Sequence, residues 1–154
     1  MSDGVPIQQR QLLLQKVYVK DASLEVPLAP QIFTRNWAPQ LDVQVTTTLQ
    51  PLNNDQHQVL LQVTVTAKLE QDVAFLVEVR QAGIFLLKGI TDAADKQRVL
   101  GAECPGLLFP FAREAVADLV QRGGFPQLLL QPIDFLGLYA EHLRGGTPPA
   151  QTPH

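Results

Sequence analysis

From Lys16 to Val26 the chain alternates with the period of two expected of a strand. Val17, Val19, Asp21, Ser23 and Glu25 fall on one face, and Tyr18, Lys20, Ala22, Leu24 and Val26 on the other. The alternation stops at Pro27. Between Pro27 and Pro39 three prolines surround Phe33 and Trp37, which rules out a regular ladder and predicts an ordered crossover segment carrying groove-lining aromatics. A second strand is predicted over Leu41–Leu49, where Leu41, Val43 and Val45 alternate with Asp42 and Gln44 and a threonine run follows. Pro51, Asn53, Asn54 and Asp55 form a turn. Val59, Leu61, Val63, Val65, Ala67 and Leu69 then make a strict apolar face against Gln58, Gln62, Thr64, Thr66 and Lys68. After Glu70, Gln71 and Asp72 a fourth strand runs from Val73 to Phe85. Short connections between the last three strands imply antiparallel pairing.

Past Gly89 the period changes to that of helices. Thr91 or Asp92 can cap a short helix ending near Leu100, and a longer one is expected after Pro105. Its predicted apolar stripe is Leu108, Ala112, Ala115, Leu119 and Val120, with Pro110 in about the first turn and Gly123-Gly124 as terminator. A last helix is expected from Asp134 to about Leu143. Four strands followed by three helices predict an α+β fold, a four-stranded antiparallel sheet with helices packed on one face. The folded domain is expected over residues 16–144, with an N-terminal extension over 1–15 and a flexible tail over 145–154. Both sheet faces carry apolar residues and the helices can cover one, so a second cover, such as another copy of the chain, is expected on the other.

Composition narrows the function classes. With 154 residues, 45% hydrophobic and 18% charged, the chain suits one globular domain. A net charge of -3 offers no broad cationic surface for nucleic acid or anionic lipid. No apolar run has the length of a signal-peptide core or a membrane span, so neither export of this chain nor direct membrane insertion is expected. Cys104 is the sole cysteine, which excludes an intrachain disulfide and fits a reducing cytoplasm.

Candidate chemistry is sparse. His57, His142 and His154 have no metal-pair spacing, Ser2 and Ser23 lie in no nucleophile elbow, and the glycines form no phosphate-binding or dinucleotide loop. Cys104 precedes Pro105 at a helix start, where a lowered pKa would make it a nucleophile; without a companion base it reads as structural. No catalytic residue, metal or cofactor is expected. Asp21, Glu25 and Glu78 read either as a solvated sheet face or as a docking surface.

The strings KVYVKDASLEVPLAPQIF, VTVTAKL, AFLVEVRQAGIF, LGAECPGLLFPFARE and RGGFPQLLLQPIDF, in this order from about Val17 to Leu143, resemble the SecB family of bacterial protein-export chaperones. The resemblance implies a homotetramer, a dimer of dimers, that binds unfolded precursors without ATP, keeps them translocation-competent and delivers them to the SecA ATPase. It further implies subunit contacts at Val77, Val79 and Gln81, along the strand containing AFLVEVRQ. A peptide groove is implied between the crossover segment and the long helix, lined by Phe33, Trp37, Leu107, Leu108, Phe109 and Phe111. SecA docking is implied at Asp21, Ser23, Glu25, Leu76 and Glu78. The tail GGTPPAQTPH has no acidic residue, unlike the acidic endings of many members, so the sequence does not say whether it meets the zinc-binding tail of SecA. A SecB-like chaperone with another dedicated client, such as a toxin-antitoxin pair, is the alternative.

Overall fold

A computed structural model describes residues 10–145. Four strands, β1 (Gln11–Glu25), β2 (Gln40–Pro51), β3 (Gln56–Leu69) and β4 (Asp72–Lys88), form one sheet in the order β1-β4-β3-β2. All three pairings are antiparallel. The crossover carries a single 3-10 turn, Gln31–Thr34, anchored by buried Ile32, and it takes the chain from one edge of the sheet to the other. β1 starts five residues earlier than its alternation predicts, because Gln11 to Leu14 pair with Lys88 to Phe85. Part of the expected N-terminal extension therefore belongs to the sheet. Residues 1–9 and 146–154, which hold the rest of that extension and nearly all of the expected tail, lie outside the described residues.

Register is where the structure departs most from simple alternation. β1 is irregular between Leu14 and Lys16 and again between Val19 and Asp21, and each extra residue reverses which parity faces the helices. Val19 stands opposite Gln81, Ala22 opposite Val79 and Leu24 opposite Val77, all on the helix side. Tyr18, Asp21, Ser23 and Glu25 stand opposite Ala82, Arg80, Glu78 and Leu76 on the other side. Strict alternation grouped Val17 and Val19 with Asp21; the irregularity at Lys20 separates them.

Two turns use left-handed backbone. Asn54 and Asp55 close the β2–β3 hairpin at φ 58° and 64°, and Glu70 turns β3 into β4 at φ 56°. Asn and Asp tolerate this region through local side-chain hydrogen bonding, whereas Glu has no such compensation.

The helical part is α1 (Ala93–Arg98), a π-helical segment (Val99–Glu103), α2 (Cys104–Arg122) and α3 (Phe135–Leu143). Asp92 caps α1 by accepting from the Asp95 amide at 2.9 Å, and Asp134 caps α3 by accepting from the Gly137 amide at 3.0 Å. No loop separates the first two helices as the sequence suggested. The chain winds through the π turn instead, so the amide that Pro105 lacks falls inside a continuous helical run, at the point where the shifted pairing of the π turn, with the Cys104 amide on the Val99 carbonyl, ends. Pro110 lies deeper in α2 than expected. Its missing donor orphans the Gly106 carbonyl, and both residues are exposed, so water can satisfy it.

The core lies between α2 and the odd-numbered side chains of β3 and β4. Val59, Leu61, Val63, Val65, Val77, Val79 and Phe85 are fully buried there against Leu108, Ala112, Val116 and Val120. Val116 and Ala117 replace the predicted Ala115 and Leu119 as the buried positions, since the stripe follows i, i+4 steps more closely than expected. Gly83 permits a close approach of helix to sheet: a Cβ there would lie 2.8 Å from Leu108 Cδ2. At one end Arg10, Asp95, Arg98 and Glu103 form a closed ring of ion pairs that ties the start of β1 to α1 and the π turn.

Candidate functional site

The uncovered sheet face is built by even-numbered residues of β2, β3 and β4 and by the re-phased half of β1. Across it run the rows Glu25–Leu76–Thr66–Asp42 and Ser23–Glu78–Thr64–Gln44, followed by Asp21–Arg80–Gln62. Asp21, Ser23, Glu25, Leu76 and Glu78 are thus brought together on adjacent strands. The first three are exposed and the last two half-buried.

Their charges differ in availability. Glu78 accepts from Thr64 Oγ1 at 3.3 Å and Gln62 Nε2 at 3.4 Å, and its other oxygen lies 3.9 Å from Arg80 Nε. Among the described residues, Asp21 and Glu25 take part in no ion pair; Asp21 stands across from Arg80, and Glu25, opposite Leu76, faces no cation in its row. Toward the other end of this face the side chains become apolar, with Leu60, Ile84 and Leu86 half-buried around Ala82.

Val77, Val79 and Gln81 lie on the opposite side, at 0%, 0% and 2% exposure, beneath the chain's own helices. Their side chains are buried within this chain's own core. β4 also has both edges occupied, by β1 and β3, so it offers no backbone to a second chain. Gln81 Nε2 donates to the Tyr18 carbonyl at 3.1 Å, while its buried Oε1 has no partner.

The six residues expected to line one groove separate into two groups. Phe33 and Trp37 join Phe125 and Phe75 in a ring cluster, with Phe33–Phe125, Trp37–Phe125 and Phe75–Phe125 centroids each 5.0 Å apart and Trp37–Phe75 at 6.2 Å. This cluster sits where the chain leaves α2. Gly124, at φ 94°, passes directly against the Phe33 ring, where a Cβ would come within 3.1 Å. Leu107, Leu108, Phe109 and Phe111 lie toward the other end of α2, about 16–22 Å along its axis from Arg122 at about 1.5 Å per residue. Leu108 and Phe109 are buried, Phe109 with its ring 5.8 Å from Phe135. Leu107 and Phe111, one turn apart, remain exposed.

A cavity that the sequence did not reveal opens between β2 and α3, with a volume of about 590 Å³. Val45, Thr47 and Leu49 of β2 form one wall, and Phe135, Tyr139 and Leu143 of α3 the other, with Gly101 of the π turn between them. The parity of β2 and the extent of α3 were both legible. Their facing one another across an unfilled gap was not, because no local spacing encodes it.

The ionisable groups add little reactivity. Burial, with a smaller contribution from Glu103, pushes the Cys104 thiol up to about 12, so the thiolate is not populated near neutral pH. His57 is buried with Nδ1 unpartnered, and His142 borders the cavity. His154 lies outside the described residues. Among those residues no group of three His, Cys, Asp or Glu side chains could hold a metal, and no helix is long and apolar enough to cross a membrane.

Comparison with known proteins locates this architecture. The family model described as preprotein translocase subunit SecB matches residues 6–145. A protein-export protein SecB from Hydrogenovibrio crunogenus is 50% identical over 137 residues, covering 89% of this chain and 91% of that one. The protein of the same name from Psychrobacter arcticus is 52% identical over 133 residues, 86% of this chain and 88% of its own. That from Methylococcus capsulatus is 44% identical over the full length of both chains. Among solved structures, a SecB-like chaperone of Mycobacterium tuberculosis in complex with an antitoxin peptide superposes with a TM-score of 0.68 at 16% identity, covering 79% of this chain and 90% of that one.

Proposed function

The chain belongs to the SecB family of protein-export chaperones, and from that premise we propose that it holds unfolded precursors in the cytoplasm without ATP and delivers them to the SecA ATPase. The observation that carries this reading is the division of labour between two surfaces. An apolar cavity of about 590 Å³ lies between β2 and α3, and a separate sheet face presents Asp21 and Glu25. Holding a client and docking on a partner can then occur together.

An unfolded polypeptide offers extended backbone and scattered large apolar side chains. A trough walled by Val45, Leu49, Tyr139 and Leu143 accepts such side chains with little discrimination, since burial of apolar area is non-directional. The aromatic edge at Phe33 and Trp37 supplies a second patch of the same chemistry, with Phe33 about half exposed. Each contact is weak. A homotetramer, assembled as a dimer of dimers, would multiply such contacts on one particle and turn them into stable capture. The free edge of β1 and the half-buried Leu60, Ile84 and Leu86 support further association, because each leaves bonding capacity or apolar area that the single chain does not use.

Native mass spectrometry with and without a slow-folding precursor tests assembly and holding together. A four-subunit particle that takes up the unfolded precursor, and does not take it up once folded, is expected. A monomer at micromolar concentration, or equal indifference to both forms, overturns the reading.

A further inference from the structure

Arg35 occupies the middle of the crossover segment, two residues from Phe33 and two from Trp37. Its guanidinium reaches across to the β3–β4 hairpin and makes three bonds there. Nη1 lies 2.7 Å from Asp72 Oδ2, and Nη2 lies 3.1 Å from Glu70 Oε1 and 3.3 Å from the Leu69 carbonyl. A planar guanidinium suits this triple engagement, whereas a lysine ammonium would make it with less geometric definition. The half-buried Arg35 side chain contrasts with Glu70, which is 88% exposed and has no other anchoring contact among the described residues.

Glu70 is also the least expected residue for its backbone. At φ 56° it occupies the left-handed region that glycine or asparagine would take with less strain. The turn therefore carries a conformational cost while presenting a carboxylate to the crossover. Across the sheet end from this latch, Phe33 and Trp37 rest on Phe125 and Phe75. The segment has no strand pairing of its own, so its ring positions depend on Ile32, on those rings and on Arg35.

We propose that Arg35 is a positioning residue for client capture: clamped by Glu70 and Asp72, it holds the crossover so that Phe33 and Trp37 present an apolar surface of defined shape. This rests on the chaperone reading above. The clamp is electrostatic and mostly solvent-facing, so it loosens with ionic strength, and it ties the aperture of the aromatic patch to the hairpin.

Trp37 is the sole tryptophan and reports the state of the crossover without any client. In the full chain, Arg35→Ala is expected to raise the open population of the crossover by about fivefold. This should be read as red-shifted Trp37 emission and greater acrylamide quenching, while the far-ultraviolet dichroism stays that of the wild type. Arg35→Lys should recover part of the change, and Arg35→Glu combined with Glu70→Arg should recover more than either single variant. Glu70→Gly separates the latch from simple stability: it relieves the turn, so melting should not fall, yet Trp37 should become more accessible. Capture of a reduced, carboxymethylated polypeptide by Arg35→Ala should weaken by a similar factor. Trp37 emission and quenching unchanged in both Arg35→Ala and Glu70→Gly would overturn the latch. Displaced Trp37 with unaltered capture would overturn the positioning role while leaving the chaperone reading intact. Failure of the wild type itself to capture the polypeptide would overturn both.

Discussion

Gly101 in the π turn lies so close to Tyr139 of α3 that a Cβ at this position would stand 2.8 Å from Tyr139 Cε1. The absence of a side chain lets the Cδ1–Cε1 side of the ring approach the turn, with both residues lining the cavity. Gly101→Ala should displace the ring and with it α3. Because α3 packs mainly on the π turn, the expected loss of global stability is modest, about 1–2 kcal/mol. Capture of unfolded polypeptide should change by more than that loss accounts for. Titration calorimetry with an unfolded client, set beside thermal melts, separates the two effects; parallel losses would remove Gly101 from the site.

Asp21 and Glu25 are exposed carboxylates on the uncovered sheet face that take part in no ion pair among the described residues. Asp21→Lys places a cation directly across from Arg80, reversing the local field without entering the core. SecA affinity at low salt should fall roughly tenfold, chiefly through slower association, and the difference should shrink as salt is added. Capture of unfolded polypeptide should be unchanged. Equal SecA affinities for mutant and wild type, measured by calorimetry at low ionic strength, would discard this face as the docking surface.

His57 sits at the start of β3, opposite Pro51 and Phe85. Burial first, then the charge of Lys96, hold its imidazole below the usual value of 6.5, while the Asp55 contacts act in the opposite direction. The unfolded chain therefore takes up this proton at a pH where folded His57 is still neutral. Its contribution to stability is fully present above the unfolded pKa and is lost as pH falls through the depressed folded one. Thermal melts from pH 7.5 to 5 should show a shallower acid limb for His57→Gln than for the wild type. Identical slopes would assign the acid sensitivity to other groups.

Cys104 is fully buried and its thiol is pushed up to about 12. Native protein should resist thiol reagents at pH 8 and react only once unfolded. Cys104→Ala should cost about 1–2 kcal/mol through lost packing and leave capture intact. Rapid labelling of the native chain, or loss of function without loss of stability, would revive a nucleophilic role.

Where elements begin and what type they are was largely legible, because burial on one side imposes a period of two on strands and near four on helices. β3 illustrates this: its predicted apolar positions from Val59 to Leu69 are all buried. Asp92, one of the two residues expected to cap a short helix, does cap α1, and the helix expected from Asp134 starts there. The family was legible from its strings.

What local pattern does not carry is pairing. The irregularities in β1 decide which of its residues accompany Glu78 and which accompany Val79, since an extra residue in a ladder turns every later side chain over. The order β1-β4-β3-β2 makes β4 an interior strand, and α2 then buries Val77, Val79 and Gln81 beneath it. The length of α2 separates the aromatics of the crossover from Leu107 and Phe111. The gap between β2 and α3 exists only once helices and sheet are assembled. Sequence alone determined the elements, their apolar faces and the acidic residues of β1; the tertiary structure decided which faces meet, because register and layer contact arise between segments far apart in the chain.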